Sequence, residues 1–281
     1  KQYRDTVMIK HITIFLAFLM MACSPVAAQD FSKVAKGMNA FEAGDYKTAI
    51  EEWTPLAEQG DVASQLLLAT IYYHGEDVDR NYTKALKWAK LAGHYGIVEA
   101  QFLVGSIYEN GYGVAQDHEK AFKWFKLAAE QGSEEAQYNV GIAFRDAHGI
   151  PKDDQKAVKW LRLSADQGYA NAQDDLGLMY ASGQGVNKDF AEAVKWMELS
   201  AKQGHPSAQH NLGVLYAFGL GAVPEDYVLG FQWLKVSIAN GNQQSQEAIN
   251  ILGKKMSAEQ LVKAQAMVRE CMASGYTECG Y

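Results

Sequence analysis

Residues 169–204 carry the stretch that decides the fold, YANAQDDLGLMYASGQGVNKDFAEAVKWMELSAKQG, and its pattern returns every 36 residues along the chain. The glutamine column of this pattern is Gln65, Gln101, Gln137, Gln173 and Gln209. The tryptophan column is Trp88, Trp124, Trp160 and Trp196, and glycine and aromatic columns accompany them. Because self-similarity at a fixed period marks a repeat architecture, we expect one supersecondary unit per 36 residues.

Each repeat divides into two helices. Within residues 133–146, Ala136, Val140 and Phe144 recur at the spacing of one helix face. The second helix follows an Asp or Asn that can cap free N–H groups, and it ends before a glycine that can adopt the left-handed conformation. The capping residues are Asn81, Asp117, Asp153, Asp189 and Asp226, and the closing glycines are Gly96, Gly132, Gly168, Gly204 and Gly241.

Two details of the repeat give further expectations. Asp77 and Ala147 each replace a glycine in the turn between the two helices, so we expect those turns to be less regular. A glutamine in every repeat favours one structural hydrogen bond made five times. A ligand site would more often interrupt the repetition.

Since a two-helix repeat cannot bury its apolar faces alone, neighbouring repeats must stack. The sequence predicts an all-α fold, an α/α superhelical solenoid of two-helix repeats of 36 residues with terminal capping helices. We expect an N-terminal helix pair at 29–60 and C-terminal capping helices with a tail at 242–281, without a second domain. The five repeats between them are 61–96, 97–132, 133–168, 169–204 and 205–241.

Residues 1–28 are typical of a secretory signal peptide, with a basic start, an apolar run at 12–22 and small residues before Gln29. The run is shorter than the roughly 20 apolar residues of a membrane span. Cleavage after Ala28 would leave a soluble chain, whereas acylation of Cys23 would make an outer-membrane lipoprotein. We therefore expect an exported protein, periplasmic or secreted, that meets a membrane only if Cys23 is lipidated.

The columns A-Q-x-x-L-G-x-x-Y, G-x-G-V and D-x-x-x-A-x-x-W resemble the Sel-one-like repeat (SLR) family, a relative of the tetratricopeptide repeats. The resemblance covers about residues 30–275 and includes Gln173, Gly177, Asp189 and Trp196. It implies a superhelical adaptor that assembles or restrains other proteins, and it supplies no catalytic residue. One cysteine-rich branch is linked to β-lactam binding and hydrolysis, but this chain lacks the cysteine pair that marks each repeat of that branch.

The chain offers few groups for chemistry. Cys271 and Cys279 form an even, close pair, which in an oxidising compartment favours a disulfide over two free thiols. The histidines are scattered, and G-x-S-x-G, H-E-x-x-H and Walker motifs are absent from the sequence. We therefore predict no metal, no cofactor and no enzymatic activity. The net charge of −7 disfavours nucleic acid as a partner.

Three columns of the first helix vary between repeats and stand at i, i+4 and i+7, which places them on one stripe. We predict that this stripe lines the concave side of the solenoid and binds a partner, since exposed aromatic and Arg side chains are common anchors. The alternative is that these residues pack between repeats or are ordinary surface. The predicted groove residues are Phe102, Glu109, Tyr138, Ile142, Arg145 and His210.

These observations predict an exported, non-enzymatic scaffold that mediates protein–protein interactions in the cell envelope, as an adaptor or regulator. Its partners would be other envelope or secreted proteins. The alternatives are a glycan-binding or cell-wall-binding protein, or a hydrolase such as a β-lactamase-like enzyme, with a site in the concave groove. Grouped carboxylates or histidines with shifted pKa values would favour the hydrolase, and aromatic rings projecting together would favour the glycan binder.

Overall fold

The computed structural model describes residues 28–75, 78–220 and 223–280, and the part of the chain that it describes consists of α-helices and their connections, without a strand. The predicted signal peptide and Cys23 lie outside the described residues, except for Ala28 at the start of α1. The helices are α1 (Ala28–Glu42), α2 (Tyr46–Glu58), α3 (Val62–His74), α4 (Tyr82–His94), α5 (Val98–Asn110), α6 (His118–Glu130), α7 (Glu134–Asp146), α8 (Asp154–Asp166), α9 (Ala170–Ser182), α10 (Phe190–Lys202), α11 (Pro206–Phe218), α12 (Tyr227–Ala239), α13 (Ser245–Lys255) and α14 (Ala258–Ala273).

Successive helices pack as antiparallel pairs, and the ten helices from α3 to α12 are each 13 residues long. The prediction of an all-α solenoid of two-helix repeats is confirmed. The chain divides into two compact units, unit 1 (Lys1–Ala128) and unit 2 (Ala129–Tyr281). Unit 1 holds α1 to α5 and α6 as far as Ala128, and unit 2 holds α7 to α14.

The predicted helix ends are those that the structure shows. The Asp153 carboxylate accepts a hydrogen bond from the Lys156 backbone N–H at 3.0 Å, and the other four capping residues accept in the same way. The closing glycines have φ between 83° and 101°. Each second helix therefore begins and ends where the sequence indicates.

The expectation of an irregular turn at Ala147 is wrong. Ala147 has φ 59° and ψ 35°, the left-handed conformation that Gly111 and Gly183 adopt at the same place in their repeats. Its backbone N–H bonds to the Ala143 carbonyl, as the glycines do to their own helices. The turn keeps its geometry, and the alanine accepts the steric cost of that conformation, about 1–2 kcal/mol. Asp77 lies outside the described residues.

The predicted structural role of the glutamine column is confirmed. Each of the five glutamines is buried, and its Nε2 donates to the carbonyl oxygen eight residues earlier, in the last turn of the preceding second helix. These five bonds measure between 3.0 and 3.2 Å. The column therefore joins each repeat to the helix before it.

In unit 2 the same glutamines also accept hydrogen bonds. Gln173 Oε1 accepts from Gln203 Nε2 at 2.8 Å, and Gln203 is the C-cap residue that follows α10. Each glutamine thus bridges the ends of two consecutive second helices, and we call these bonds the amide series of unit 2. Its pairs are Gln137–Gln167, Gln173–Gln203 and Gln209–Asn240.

The glycine column lets the two helices of a pair approach closely. A Cβ atom at Gly177 would lie 2.7 Å from Met197 Cγ, and one at Gly141 would lie 2.8 Å from Leu161 Cγ. Leu161, Met197 and their neighbours are fully buried between the helices of each pair. The first helices therefore direct their constant face into the core and leave the varying stripe for other contacts.

Candidate functional site

The six predicted groove residues fall in both units, and the set in each unit is described separately. In unit 1, the Phe102 ring on α5 lies 5.4 Å from the Phe125 ring. The Glu109 carboxylate, also on α5, lies 3.0 Å from His118 Nδ1. Both predicted residues of unit 1 are half-buried and contact α6 of the same helix pair.

In unit 2, Tyr138, Ile142 and Arg145 lie on α7. The Tyr138 ring stands 5.3 Å from the Tyr169 ring, and burial raises the pKa of its hydroxyl. Ile142 packs against the apolar core of α8 and α9. The three residues are half-buried, so they combine packing with a partly open surface.

Arg145 is held by two carboxylates. Its Nη1 lies 2.7 Å from Asp175 Oδ1 on α9, and its Nε and Nη2 each lie 2.9 Å from an oxygen of Asp146. The bonds to Asp146, and then the charge of Asp175, raise the pKa of the guanidinium. The Asp175 carboxylate also bonds to the Tyr138 hydroxyl and further raises its pKa. Asp175 therefore joins α7 to α9 and fixes two of the predicted residues.

Asp174 makes the corresponding link from α9 to α11. Its Oδ1 accepts from Asn211 Nδ2 at 2.9 Å, and its Oδ2 lies 3.5 Å from His205 Nδ1. The residue is only 5% exposed, and burial raises the pKa of its carboxyl to about 6. Burial also lowers the pKa of the His205 and His210 imidazoles.

Sequence reasoning did not select Asp174, Asp175, His205 or Asn211. Asp174 stands in the same varying column as Tyr138, but column variation does not reveal that a carboxylate is buried. Two consecutive aspartates inside an otherwise uncharged first helix are the available signal. Such a pair must find partners on neighbouring helices, because burying an unpaired charge is costly.

His210, the sixth predicted residue, lies on α11 and meets a buried serine. Its Nδ1 is 2.8 Å from the Ser245 Oγ at the start of α13, and that hydroxyl donates to Ser237 Oγ at 3.1 Å. A serine nucleophile must reach the substrate carbonyl, but Ser245 has no exposed surface. The pair serves as a hydrogen-bonded contact between helices. Asp174, a carboxyl whose pKa burial raises, is similarly enclosed, so neither group favours the hydrolase alternative.

Three tyrosines of unit 1 form an aromatic cluster. The Tyr82 and Tyr112 rings stack at 4.7 Å with an interplanar angle of 16°, and the Tyr73 ring meets Tyr82 edge-on at 5.5 Å. A glycan site needs free ring faces on which a sugar can stack. Because Tyr82 and Tyr112 stack against each other, the cluster fastens the loop before α6 to the start of α4.

The varying stripe of unit 2 has one clearly exposed apolar member. Leu178 on α9 is 40% exposed, and it occupies the same column as Ile142 on α7. We call the surface formed by Tyr138, Ile142, Arg145, Leu178 and His210 the first-helix face of unit 2. Whether this face binds a partner stays a prediction.

Cys271 and Cys279 are joined by a disulfide, with their Cα atoms 4.6 Å apart. The bond closes a short loop on α14 and lies at the C-terminal end of unit 2. Among the described helices, none combines the length and the apolar character that crossing a membrane requires.

A family model described as the Sel1 repeat matches residues 62–94, 98–133, 134–169, 170–205 and 206–242. The chain belongs to the Sel1 repeat family. This is the family that the sequence columns resemble, and the prediction is confirmed. Sel1 repeats generally mediate protein–protein interactions, and Sel1 repeat proteins are typically non-enzymatic scaffolds.

Two solved Sel1-type structures resemble this Sel1 repeat chain. One is c5321, a protective antigen present in uropathogenic Escherichia coli strains displaying an SLR fold, with 31% identity and a TM-score of 0.78. That match covers 88% of this chain and 55% of c5321, so this chain spans about half the length of that protein. The other is a Sel1 repeat protein from Oxalobacter formigenes, with 29% identity and a TM-score of 0.71. That match covers 83% of this chain and 96% of the Oxalobacter formigenes protein. No curated protein sequence matches the chain.

Proposed function

We propose that this Sel1 repeat protein is an exported, non-enzymatic scaffold that binds other envelope or secreted proteins through the first-helix face of unit 2. One observation carries the proposal. The constant columns are used up in helix packing and in the amide series, whereas this face presents side chains that differ from repeat to repeat. A specific partner must be recognised by side chains that the fold itself does not prescribe.

The first-helix face has the chemistry of a protein-docking surface. Leu178, Tyr138 and Ile142 supply an apolar centre, and Arg145 and Asp175 supply charged groups beside it. Apolar centres bordered by polar groups are the usual anatomy of interfaces, and Tyr and Arg are frequent anchors. Because Asp175 already fixes Tyr138 and Arg145, docking would immobilise few additional side chains.

Export is supported by two features of the chain. Residues 1–28 have the composition of a secretory signal, and the Cys271–Cys279 disulfide is of the kind that persists in oxidising compartments. We infer a periplasmic or secreted location, with a lipoprotein anchored through Cys23 as the variant to distinguish. The intact mass of the purified protein separates a chain beginning at Gln29 from one with an acylated Cys23. An uncut chain in the cytoplasmic fraction would contradict export.

The docking face can be tested with two leucines of equal exposure. Leu178 on α9 and Leu163 on α8 are both 40% exposed, but only Leu178 lies on the first-helix face. We expect Leu178→Glu to weaken capture of an envelope protein about tenfold or more, since a buried charge at an interface costs well over 1.4 kcal/mol. Capture would be measured by in-cell cross-linking and pull-down from the native host.

Leu163→Glu is the matched control and should capture the same protein as the parent chain. Equal loss in the two variants, or equal capture by both, would remove the first-helix face as the docking surface. Capture of glycan fragments alone would support the glycan-binding alternative.

A further inference from the structure

The chain after α14 turns back against the last repeat, and the disulfide closes this turn. Cys271 on α14 is fully buried in an apolar cluster with Met197, Leu212 and Trp233. Cys279 packs against the edge of the same cluster and is only half-buried. The two cysteines therefore differ in exposure, and residues 274–280 form a loop that we call the C-terminal loop.

Tyr276 is a residue of this loop that contacts the body of unit 2 through both its hydroxyl and its ring. Its hydroxyl donates to Asn240 Oδ1 at 2.7 Å, and its ring lies against Gly204, where a Cβ atom would be 3.0 Å from Tyr276 Cε2. Asn240 in turn donates to Gln209 Oε1 at 2.9 Å. Tyr276 therefore occupies the end of the amide series, in the place where a further repeat would contribute its own side chain.

The loop holds Tyr276 in a conformation that its own residue type disfavours. Tyr276 has φ 73°, a left-handed value that residues with large side chains rarely adopt. Within the loop, the Tyr276 N–H bonds to the Cys271 carbonyl and the Glu278 N–H bonds to Ser274 Oγ. The disulfide between Cys271 and Cys279 encloses these local contacts.

The final helix does not depend on the loop for its own position. Ala264 and Met267 of α14 are buried against α12 and α13, and Gln232 Nε2 of α12 donates to the Met267 carbonyl at 3.3 Å. Ser257 and Gln260 form a reciprocal capping box at its start. Opening of the loop would therefore leave α14 packed.

We propose that the Cys271–Cys279 disulfide is a redox-controlled latch, which on reduction releases the C-terminal loop and uncovers the Asn240–Gly204 edge of the last repeat. A dithiol reductant supplies the electrons. One of its thiolates attacks the Sγ of Cys279, the more exposed of the two cysteines, and Cys271 leaves as a thiolate that takes up a proton. The second thiol of the reductant then frees Cys279 as a thiol and closes the reductant's own disulfide, so two electrons and two protons are transferred.

Hydrogen exchange of the full chain, oxidised and then reduced with dithiothreitol, tests the latch. We expect the amides of Tyr276 and Glu278 to exchange about tenfold faster or more after reduction, because their protection depends on a closed loop. Amides of α12 and α14 should keep their rates, and Cys279→Ser should behave like the reduced chain without any reductant. Unchanged loop amides would overturn the latch. Loss of protection throughout α12 and α14 would also overturn it, since the disulfide would then be a staple for the whole end of unit 2.

Tyr276→Phe provides a matched control, because it removes the bond to Asn240 and keeps the disulfide. Its loop should stay protected while oxidised and open on reduction. If the loop of the Tyr276→Phe chain is already open in the oxidised state, the hydrogen bond to Asn240 holds the loop and the disulfide does not. That result would overturn the latch. A glutathione adduct trapped at Cys279 and identified by peptide mass would support the proposed order of attack, whereas an adduct at Cys271 would contradict it.

Discussion

Asp174 is a carboxylate that the fold removes from water while supplying neutral or weakly basic partners. Its nearest polar groups are Asn211 Nδ2 and His205 Nδ1, whereas the guanidinium of Arg145 pairs with Asp175 and Asp146. Desolvation therefore outweighs hydrogen bonding, and the pKa of Asp174 rises from 3.8 to about 6. The buried position in which this carboxyl links α9 to α11 makes its ionisation less favourable.

This raised pKa predicts a pH-dependent stability. The protonated carboxyl stabilises the fold below about pH 4, and that contribution is lost as the pH rises through about 6. Asp174→Asn keeps the shape and the bond from Asn211 without the charge. We expect it to raise the free energy of unfolding by about 2–3 kcal/mol at pH 8 and by about 1 kcal/mol at pH 4.5.

Urea unfolding of the parent and variant chains at both pH values measures this difference. The lowered pKa values of His205 and His210 act in the opposite direction, losing stability as the pH falls, so the comparison must be made between variants at each pH. Asp166→Asn, at an exposed position on α8, is the control and should show no pH-dependent gain. An Asp174→Asn chain that is destabilised equally at both pH values would show that the carboxylate is needed in ionised form.

At the scale of one element, the turn between α7 and α8 has the same backbone geometry as the other turns although Ala147 replaces the usual glycine. Ala147 adopts φ 59° where Gly183 of the next repeat has φ 77°. The stacking of the helix pair thus imposes the turn on the alanine. The packing of the two helices outweighs the preference of alanine for negative φ, and the folded state keeps the steric energy of the left-handed conformation.

We therefore expect Ala147→Gly to raise the free energy of unfolding by about 0.5–1 kcal/mol, because the steric cost of the left-handed alanine exceeds the added chain entropy of glycine. Denaturant titration measures the change. The reverse substitution at the equivalent position, Gly183→Ala, should destabilise, since its Cβ atom would also lie 3.1 Å from Lys188 Cβ. A loss of stability in the Ala147→Gly chain would mean that the alanine methyl makes a contact worth more than its strain.

How far the sequence predicts this fold depends on the distance that an interaction spans. Helix caps, closing glycines and the glutamine bond to the preceding helix follow from column and spacing, because their partners lie within one turn or one connection. The Asp175 contacts with Tyr138 and Arg145 cross from one repeat to the next. Helical spacing gives the direction of a side chain, but the approach of neighbouring helices decides which side chain it meets.

The same limit applies to the hydrogen bonds that the glutamine Oε1 atoms accept. Gln173 Oε1 has Gln203 as a donor, but the residue at the corresponding place after Gln65 is the exposed Tyr95, and Gln65 Oε1 has no hydrogen-bond partner within the described chain. A repeated column therefore predicts the bond that every repeat can make. It does not predict a bond whose donor lies in a column that changes.

Across the whole molecule, the two units differ in the side chains that can form hydrogen bonds between the two helices of a pair. In unit 2, serines of the second helices donate to a carbonyl at the start of the first helix of the same pair, at 2.7 Å in each case. These serines are Ser164, Ser200 and Ser237, and the same column holds Ala92 and Ala128 in unit 1. Unit 2 also has the Cys271–Cys279 disulfide.

Because stability in repeat arrays is close to a sum of local and nearest-neighbour terms, we expect the helices of unit 1 to lose hydrogen-exchange protection at lower urea than those of unit 2. Ser200→Ala should lower the free energy of unfolding of unit 2 by about 1–2 kcal/mol, since the Ala170 carbonyl loses a buried donor. The difference in stability between the two units should shrink by that amount. Ser182→Ala is the matched control, because the exposed Ser182 hydroxyl bonds only to carbonyls of its own helix. If both units unfolded in one transition, and the two serine variants shifted it equally, the serine column would have no part in setting the order of unfolding.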